Sequence, residues 1–176
     1  GFNAKYKVVA NIPYYITSPI IRLFLETKYP PTEMILMVQK EVAERICARP
    51  GEMSILAVSV QYYAQPQFLF VVPRSSFWPV PKVDSAVIRI TLDREDKARN
   101  EDETKHFFRI VRAGFSAKRK MLANNLASSF HLDKKEVEEL LKKGGVEIKA
   151  RAQDLSMDDW RRLAGTFEEK FLTQKD

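Results

Sequence analysis

Asn11, Ile12, Pro13 and Tyr14 stand together directly after a short apolar run, Tyr6 to Ala10. That run reads as a buried strand over Lys5 to Ala10, which places the tetrad at a strand's carboxyl end. The combination suits an exocyclic amine on a flat ring. The Asn11 side-chain oxygen accepts one amine hydrogen, and a backbone carbonyl at Ile12 or Pro13 accepts the other. Tyr14 offers a face on which the ring stacks. An amine held this way needs only an electrophile. The tetrad specifies amine chemistry better than it specifies a substrate. A strand end followed by a proline turn is the plain structural alternative.

A second string runs Phe77-Trp78-Pro79-Val80-Pro81-Lys82-Val83-Asp84-Ser85. A proline-stiffened loop loses little entropy in presenting an aromatic ring. If Phe77 faces Tyr14, a base fits between the two rings, as in sites that take a base out of its stack. Trp78 is expected to pack inward, Lys82 to touch phosphate and Asp84 to fix the loop by local hydrogen bonds. A third group is basic. Lys105, Arg109 and Arg112 recur at helical spacing, Lys118-Arg119-Lys120 follow, and no acidic residue falls between Lys105 and Lys120. Such a face tracks phosphates well, with a solvated basic face as the alternative.

The elements that position these groups follow from periodicity. Strands are expected over Lys5 to Ala10, Glu33 to Val38, Gln67 to Val72 and Ser85 to Leu92. Helices are expected over Ser18 to Thr27, capped by Ser18 ahead of Pro19, over Gln39 to Ala48 and over Ile55 to Tyr63. Alternation of this kind implies an α/β open sheet, and the last two strands, joined without a helix, pair antiparallel. Asp93 to Thr104 is charged and aperiodic and reads as a linker. Beyond it the pattern is helical: Lys105 to Phe115, Arg119 to Phe130, Lys134 to Lys143 and Met157 to Phe171. Asp133 and Ser156 suit N-caps, and Gly144-Gly145 a helix stop.

The 176 residues are 45% hydrophobic, enough for a real core, and the net charge of +6 favours a polyanionic partner. No apolar run approaches a membrane span. The first residues alternate like a strand and do not read as a signal peptide. A single cysteine, Cys47, fits a reducing compartment and reads as a buried thiol on a helix rather than a nucleophile. With only two histidines, no metal site is expected. Ligands in open α/β sheets sit at the carboxyl ends of strands near a topological switch point. A tetrad as early as residue 11 therefore leaves the other wall of its crevice expected before Gly1.

With these strings assembled, the chain resembles the ribosomal RNA adenine dimethyltransferase family, which uses S-adenosylmethionine to dimethylate adenosine amines. The resemblance covers nearly the whole chain: Asn11 to Ile20, Met37 to Arg45, Gln61-Tyr62-Tyr63, Phe77 to Arg89 and Phe115 to Leu126. The Asp84-Ser85-Ala86-Val87 string and the helical tail make it more similar to the bacterial small-subunit enzyme than to the erythromycin-resistance branch.

The resemblance implies the C-terminal part of a Rossmann-like class I methyltransferase sheet, followed by a small all-helical domain. The implied division is a catalytic part over 1–93, a linker over 94–104 and a helical RNA-binding domain over 105–176. It implies that Asn11 contacts both donor and target amine, with Pro13 also at the donor. Ile12, Pro13 and Tyr14 then shape the adenine site, and Phe77 stacks on the base. RNA contacts are expected from Lys82, Lys105, Arg109, Arg112, Lys118, Arg119 and Lys120. The family's glycine-rich donor loop would precede Gly1, so the chain alone is expected to be inactive. Where the family often carries Gln, Arg and a further basic residue, this chain has Ala117, Lys118 and Ala123. That weakens contacts needing a planar guanidinium at Lys118. Gln153 replaces a family acid and reads as structural. The implied setting is a cytoplasmic monomer acting on small-subunit ribosomal RNA in the pre-30S particle. The alternatives are an RNA-binding assembly module without catalysis and a large-subunit methyltransferase of the erythromycin-resistance type.

Overall fold

The computed structural model describes residues 5–92 and 100–173, with side chains through Phe171. Of these, residues 5–48 and 59–92 form one compact unit; residues 49–58 and 100–173 form a second. The segment 49–58 thus packs with the helical part, whereas the sequence pattern groups it with the strands.

The first unit is built on a four-stranded sheet: β1 (Lys7–Asn11), β2 (Glu33–Gln39), β3 (Ala64–Val72) and β4 (Ser85–Leu92), in the order β1-β2-β4-β3. β1 runs parallel to β2, and β4 runs antiparallel to both β2 and β3. The α/β class and the antiparallel final pair follow the expectation. Period-two alternation decides the register. Met34 faces Ile90, Leu36 faces Ile88 and Val38 faces Ala86; all six are fully buried. A one-residue slip would expose every one of them.

Several expectations need correction. β1 is not a buried strand: Val9 is 77% exposed, because β1 lies at the sheet edge with only β2 beside it among the described residues. β3 begins at Ala64, three residues before the expected Gln67, and includes Pro66 opposite Ile90. Proline is tolerated there because β3 is the other edge and the missing N–H breaks no ladder bond. α1 (Thr17–Glu26) is entered from a 3-10 turn over Tyr14–Ile16, with Ile16 at the cap position and no side-chain cap. Ser18 is therefore inside the helix and does not cap it. Pro19 falls in the first turn, where its missing N–H costs nothing. α2 (Lys40–Ile46) stops short of Ala48, leaving Cys47 as the residue after the helix. Gln61 donates its side-chain amide to the carbonyls of Ile46 (3.1 Å) and Ala48 (2.9 Å), which satisfies groups the ended helix leaves open.

α3 (Ile55–Tyr63) is helical as expected despite its β-branched content; the Ser54 hydroxyl accepts from the Ala57 amide, 3.2 Å, at its start.

The second unit packs α4 (Glu101–Gly114), α5 (Leu122–Phe130), α6 (Lys134–Lys143) and α7 (Met157–Thr173) around Trp160, Phe167, Ile110, Leu122, Leu126 and Leu141, all fully buried. Of the expected linker, residues 93–99 lie outside the described residues. Residues 101–104 are the first turn of α4, capped by the Asn100 side chain on the Asp102 amide at 3.0 Å. Glu101, Asp102 and Glu103 make that turn acidic, which suits a helix N-terminus; the charge run looked like a linker for that reason. α5 begins at Leu122, so Arg119 and Lys120 belong to a loop instead of a helix. Asp133 caps α6 through the Lys135 amide and Ser156 caps α7 through the Asp159 amide, as their residue types imply. α6 ends in a Schellman motif: Gly145 (φ 71°) donates to Lys142 and Val146 donates to Leu141. Gln153 is structural: its carbonyl accepts from Gly51 and Met53, and its amide donates to Gly51 at 3.0 Å. These bonds hold 49–58 within the helical unit.

Candidate active site

Asn11 closes β1 opposite Met37, and the Ile12 amide continues the pairing to the Met37 carbonyl at 3.2 Å. The chain then leaves the sheet. Ile12 sends its side chain into the core, 3% exposed, which anchors the turn from below. The Pro13 carbonyl accepts from the Ile16 amide at 3.1 Å and closes the 3-10 turn. The turn engages the Pro13 carbonyl; the Ile12 carbonyl precedes it.

Tyr14 is fixed at its far end by a 2.8 Å hydrogen bond between its hydroxyl and that of Ser85, a buried residue that opens β4. Sequence reasoning missed Ser85 as this partner, since nothing local links positions 71 residues apart. The loop from β3 to β4 is braced at its base. The Asp84 carboxylate accepts from the Arg74 amide at 2.9 Å, and the Asp84 carbonyl accepts from the Lys40 amide at 3.0 Å. A turn over Arg74–Ser76 follows Pro73 and delivers Phe77 in extended backbone. Asp84 thus fixes the loop by the local bonding its residue type implies.

These two pieces meet. Asn11, Ile12, Pro13 and Tyr14 on one side and Phe77, Trp78, Pro79 and Pro81 on the other line one open pocket of about 310 Å³. That is the small end of ligand sites, where a single ring system fits. Its walls combine flat rings and proline with the amide of Asn11 as the polar group. Trp78 departs from expectation. It borders the pocket but is 94% exposed and does not pack inward, because the prolines that follow hold its backbone on the surface.

A sequence model described as ribosomal RNA adenine dimethylase matches residues 2–169. The chain belongs to that family.

Among ribosomal RNA adenine dimethylase relatives, the chain is 43% identical over 163 residues to a ribosomal RNA small subunit methyltransferase A of Dehalococcoides mccartyi, covering 93% of this chain and 56% of the relative. It is 44% identical over 167 residues to a protein of the same name from Fusobacterium nucleatum, covering 94% and 63%. The chain therefore spans little more than half the length of these relatives. Among solved structures, a dimethyladenosine transferase from Plasmodium falciparum superposes with TM-score 0.78 at 27% identity, covering 97% of this chain and 70% of the other. The 23S rRNA methyltransferase ErmE superposes with TM-score 0.72 at 26% identity, covering 96% and 67%. The sheet is accordingly the Rossmann-like sheet of this dimethylase family.

The cationic residues divide between the units. Lys82 is exposed on the loop beside the pocket. Lys105 is held by Glu101 at 2.8 Å, one turn earlier on α4, and by Asp102 at 3.9 Å, so part of its charge is already answered. The acids that the 105–120 window left out lie just before it. The Arg109 guanidinium sits over the Phe130 and Phe171 rings at 5.1 and 5.7 Å. Arg112 is exposed on α4, and Lys118, Arg119 and Lys120 are exposed on the α4–α5 loop. That loop is pinned by Asn125, 2% exposed, which donates to the carbonyls of Gly114 (2.6 Å) and Ala117 (3.0 Å). Asn125 went unread in the sequence, although an amide within the buried stripe Leu122, Ala123, Leu126 is the signal that marks it.

Cys47 is half-buried after α2, and burial pushes its thiol pKa up, away from the thiolate a nucleophile needs. Among the described residues no helix is long and apolar enough to cross a membrane.

Proposed function

We propose that this chain carries the target-base side of an S-adenosylmethionine-dependent ribosomal RNA adenine dimethyltransferase that acts on small-subunit ribosomal RNA in an assembling cytoplasmic particle. The convergence of Asn11–Tyr14 and Phe77 on one ring-sized pocket carries this reading. The family membership and the names of the 43–44% identical relatives support the substrate class.

In this reading the adenine is stacked between Tyr14 and Phe77. Its amine donates one hydrogen to the Asn11 side-chain oxygen and one to the Ile12 or Pro13 carbonyl. An aromatic amine is a poor nucleophile because its lone pair is delocalised into the ring. Two acceptors favour a pyramidal nitrogen and aim the lone pair, so orientation supplies much of the acceleration. The same acceptors stabilise positive charge appearing on nitrogen, and the faces of Tyr14 and Phe77 add roughly 1 kcal/mol each. No general base is required before attack, since the attacked amine becomes strongly acidic.

S-adenosylmethionine, when bound, supplies the electrophilic methyl. Asn11, exposed at the end of β1, and Pro13 are the residues of this chain that fit its edge. A pocket of about 310 Å³ suits the target base rather than base and donor together. The exposed Lys82, Arg112, Lys118, Arg119 and Lys120 serve phosphates, with Arg109 and the partly paired Lys105 secondary to them.

The test is Asn11→Ala in the full-length enzyme, with labelled methyl incorporation into small-subunit ribosomal RNA as readout. Loss of one preorganised polar partner at the reacting group lowers the rate by about 10²–10³; unchanged methylation removes the central residue of the reading. Label appearing in large-subunit RNA instead would favour the activity named for ErmE. A second reading concerns the chain by itself. In it the chain serves as an RNA-binding module without catalysis, through the exposed Lys118, Arg119 and Lys120 of the α4–α5 loop. Calorimetry detecting micromolar donor binding to this chain would overturn that.

A further inference from the structure

Trp78 has the highest exposure of any large apolar side chain among the described residues. A side chain so open buries almost no area, so its indole adds little to folding. It is nonetheless held in place. The loop is closed by the Asp84 carboxylate on the Arg74 amide, and Pro79 and Pro81 fix the backbone that follows. An indole on a braced loop loses little further entropy on meeting a ligand.

Its surroundings specify the ligand's chemistry. Trp78 lines the same pocket as Tyr14 and Phe77, so it lies at the edge of the site for the target base. From Pro73 to Asp84 the charged side chains are Arg74, Lys82 and Asp84. The one acid already accepts from the Arg74 amide; both cations are exposed, with one Arg74 guanidinium nitrogen donating to the Lys82 carbonyl at 3.5 Å. A flat exposed ring beside cations on a stiff loop is the arrangement that binds single-stranded nucleic acid, with rings for bases and cations for phosphates.

We propose that Trp78 is a second stacking platform, which takes the nucleobase covalently next to the one in the pocket while Lys82 and Arg74 face the connecting phosphate. This rests on reading the pocket as a base site. Drawing one base out of a strand breaks its stacking on the neighbour. Trp78 replaces that lost partner and sets the register of the strand across the pocket. Stacking tolerates any base, so Trp78 contributes affinity and positioning without choosing sequence.

The chain reports on this directly, because it has two tryptophans and the other, Trp160, is fully buried. Tryptophan emission is followed while the chain is titrated with adenosine 5′-monophosphate or with the trinucleotide ApApA. The expected result is that ApApA quenches Trp78 and shields it from acrylamide. Trp78→Ala weakens ApApA roughly tenfold, as loss of a stacked base does, and the monophosphate less than about threefold. Trp78→Phe recovers most of the loss, and Phe77→Ala weakens both ligands. If ApApA binds Trp78→Ala as tightly as the native chain, or binds without changing Trp78 emission, the platform is refuted while the pocket reading stands. If neither ligand binds the native chain, the pocket reading fails and takes the platform with it.

Discussion

Replacing Asn125 tests how the cationic loop of the helical unit is held. Asn125 lies in the buried stripe of α5 and is 2% exposed. Its amide nitrogen donates to Gly114 at 2.6 Å, at the end of α4, and to Ala117 at 3.0 Å, in the loop that leads to Lys118, Arg119 and Lys120. Asn125→Ala removes both bonds, each worth about 1 kcal/mol, and leaves the carbonyl of buried Gly114 without this donor, at a further cost of about 1–3 kcal/mol. The expected destabilisation is roughly 3–5 kcal/mol. Asn125→Asp falls lower still at neutral pH, because a carboxylate cannot donate and sets its charge against two carbonyl oxygens. Urea unfolding followed by Trp160 emission reads this unit, since Trp160 is fully buried in its core. In parallel, binding of single-stranded RNA weakens because the loop must be ordered at the moment of binding. The slope of log K against log salt stays as in the native chain, since every cation is still present. Lys118→Ala is the contrast: it lowers that slope by about 0.7–0.9. An Asn125→Ala variant within about 0.5 kcal/mol of the native chain, the range of ordinary surface changes, would refute the argument.

Two further perturbations are expected to behave as follows. Gly114→Ala puts a methyl carbon 2.5 Å from Trp160 Cη2 and 2.9 Å from Leu122 Cδ1; both side chains are fully buried. It destabilises by about 1–3 kcal/mol through overpacking, and a melting temperature within a degree of native would show the core to be slacker than described. At Asp159, desolvation pushes the carboxyl pKa up, but the Ser156 hydroxyl and amide and the Arg162 guanidinium outweigh it and hold the carboxyl below its ordinary value. The stabilisation is therefore present above the unfolded pKa of about 3.9 and is lost as pH falls through the lower folded value. Asp159→Asn costs about 1 kcal/mol at pH 7, with a gap from native that narrows below about pH 4; a constant gap across thermal melts at both pH values would contradict this.

Elements with strong internal periodicity were legible from the residues. β2 and β4 alternate cleanly, and α6 carries both its N-cap, Asp133, and its glycine stop. Errors fell where a partner distant in sequence overrides the local signal. The edge position of β3 admits Pro66, which reads locally as a strand breaker. Gln61 closes the end of α2 from 15 and 13 residues away. Gln153 draws 49–58 into the helical unit across 102 residues. The acidic residues 101–103 read as a linker because charge without apolar periodicity looks the same in a coil and in the exposed first turn of a helix.

The chemistry of the site was in the residue types: an amide oxygen, a restrained carbonyl and two rings suit a planar amine wherever they are brought together. That they do come together is a property of the tertiary structure alone. Residues 11–14 end one edge strand and residue 77 follows the other, and β2 and β4 lie between them in the sheet. Only the sheet order, the Tyr14–Ser85 bond and the bracing of the loop by Asp84 carry Phe77 and Trp78 back to the tetrad. The outward placement of Trp78 was equally beyond sequence reasoning, because an aromatic residue's type favours burial and only the path of the backbone around it can keep it in solvent.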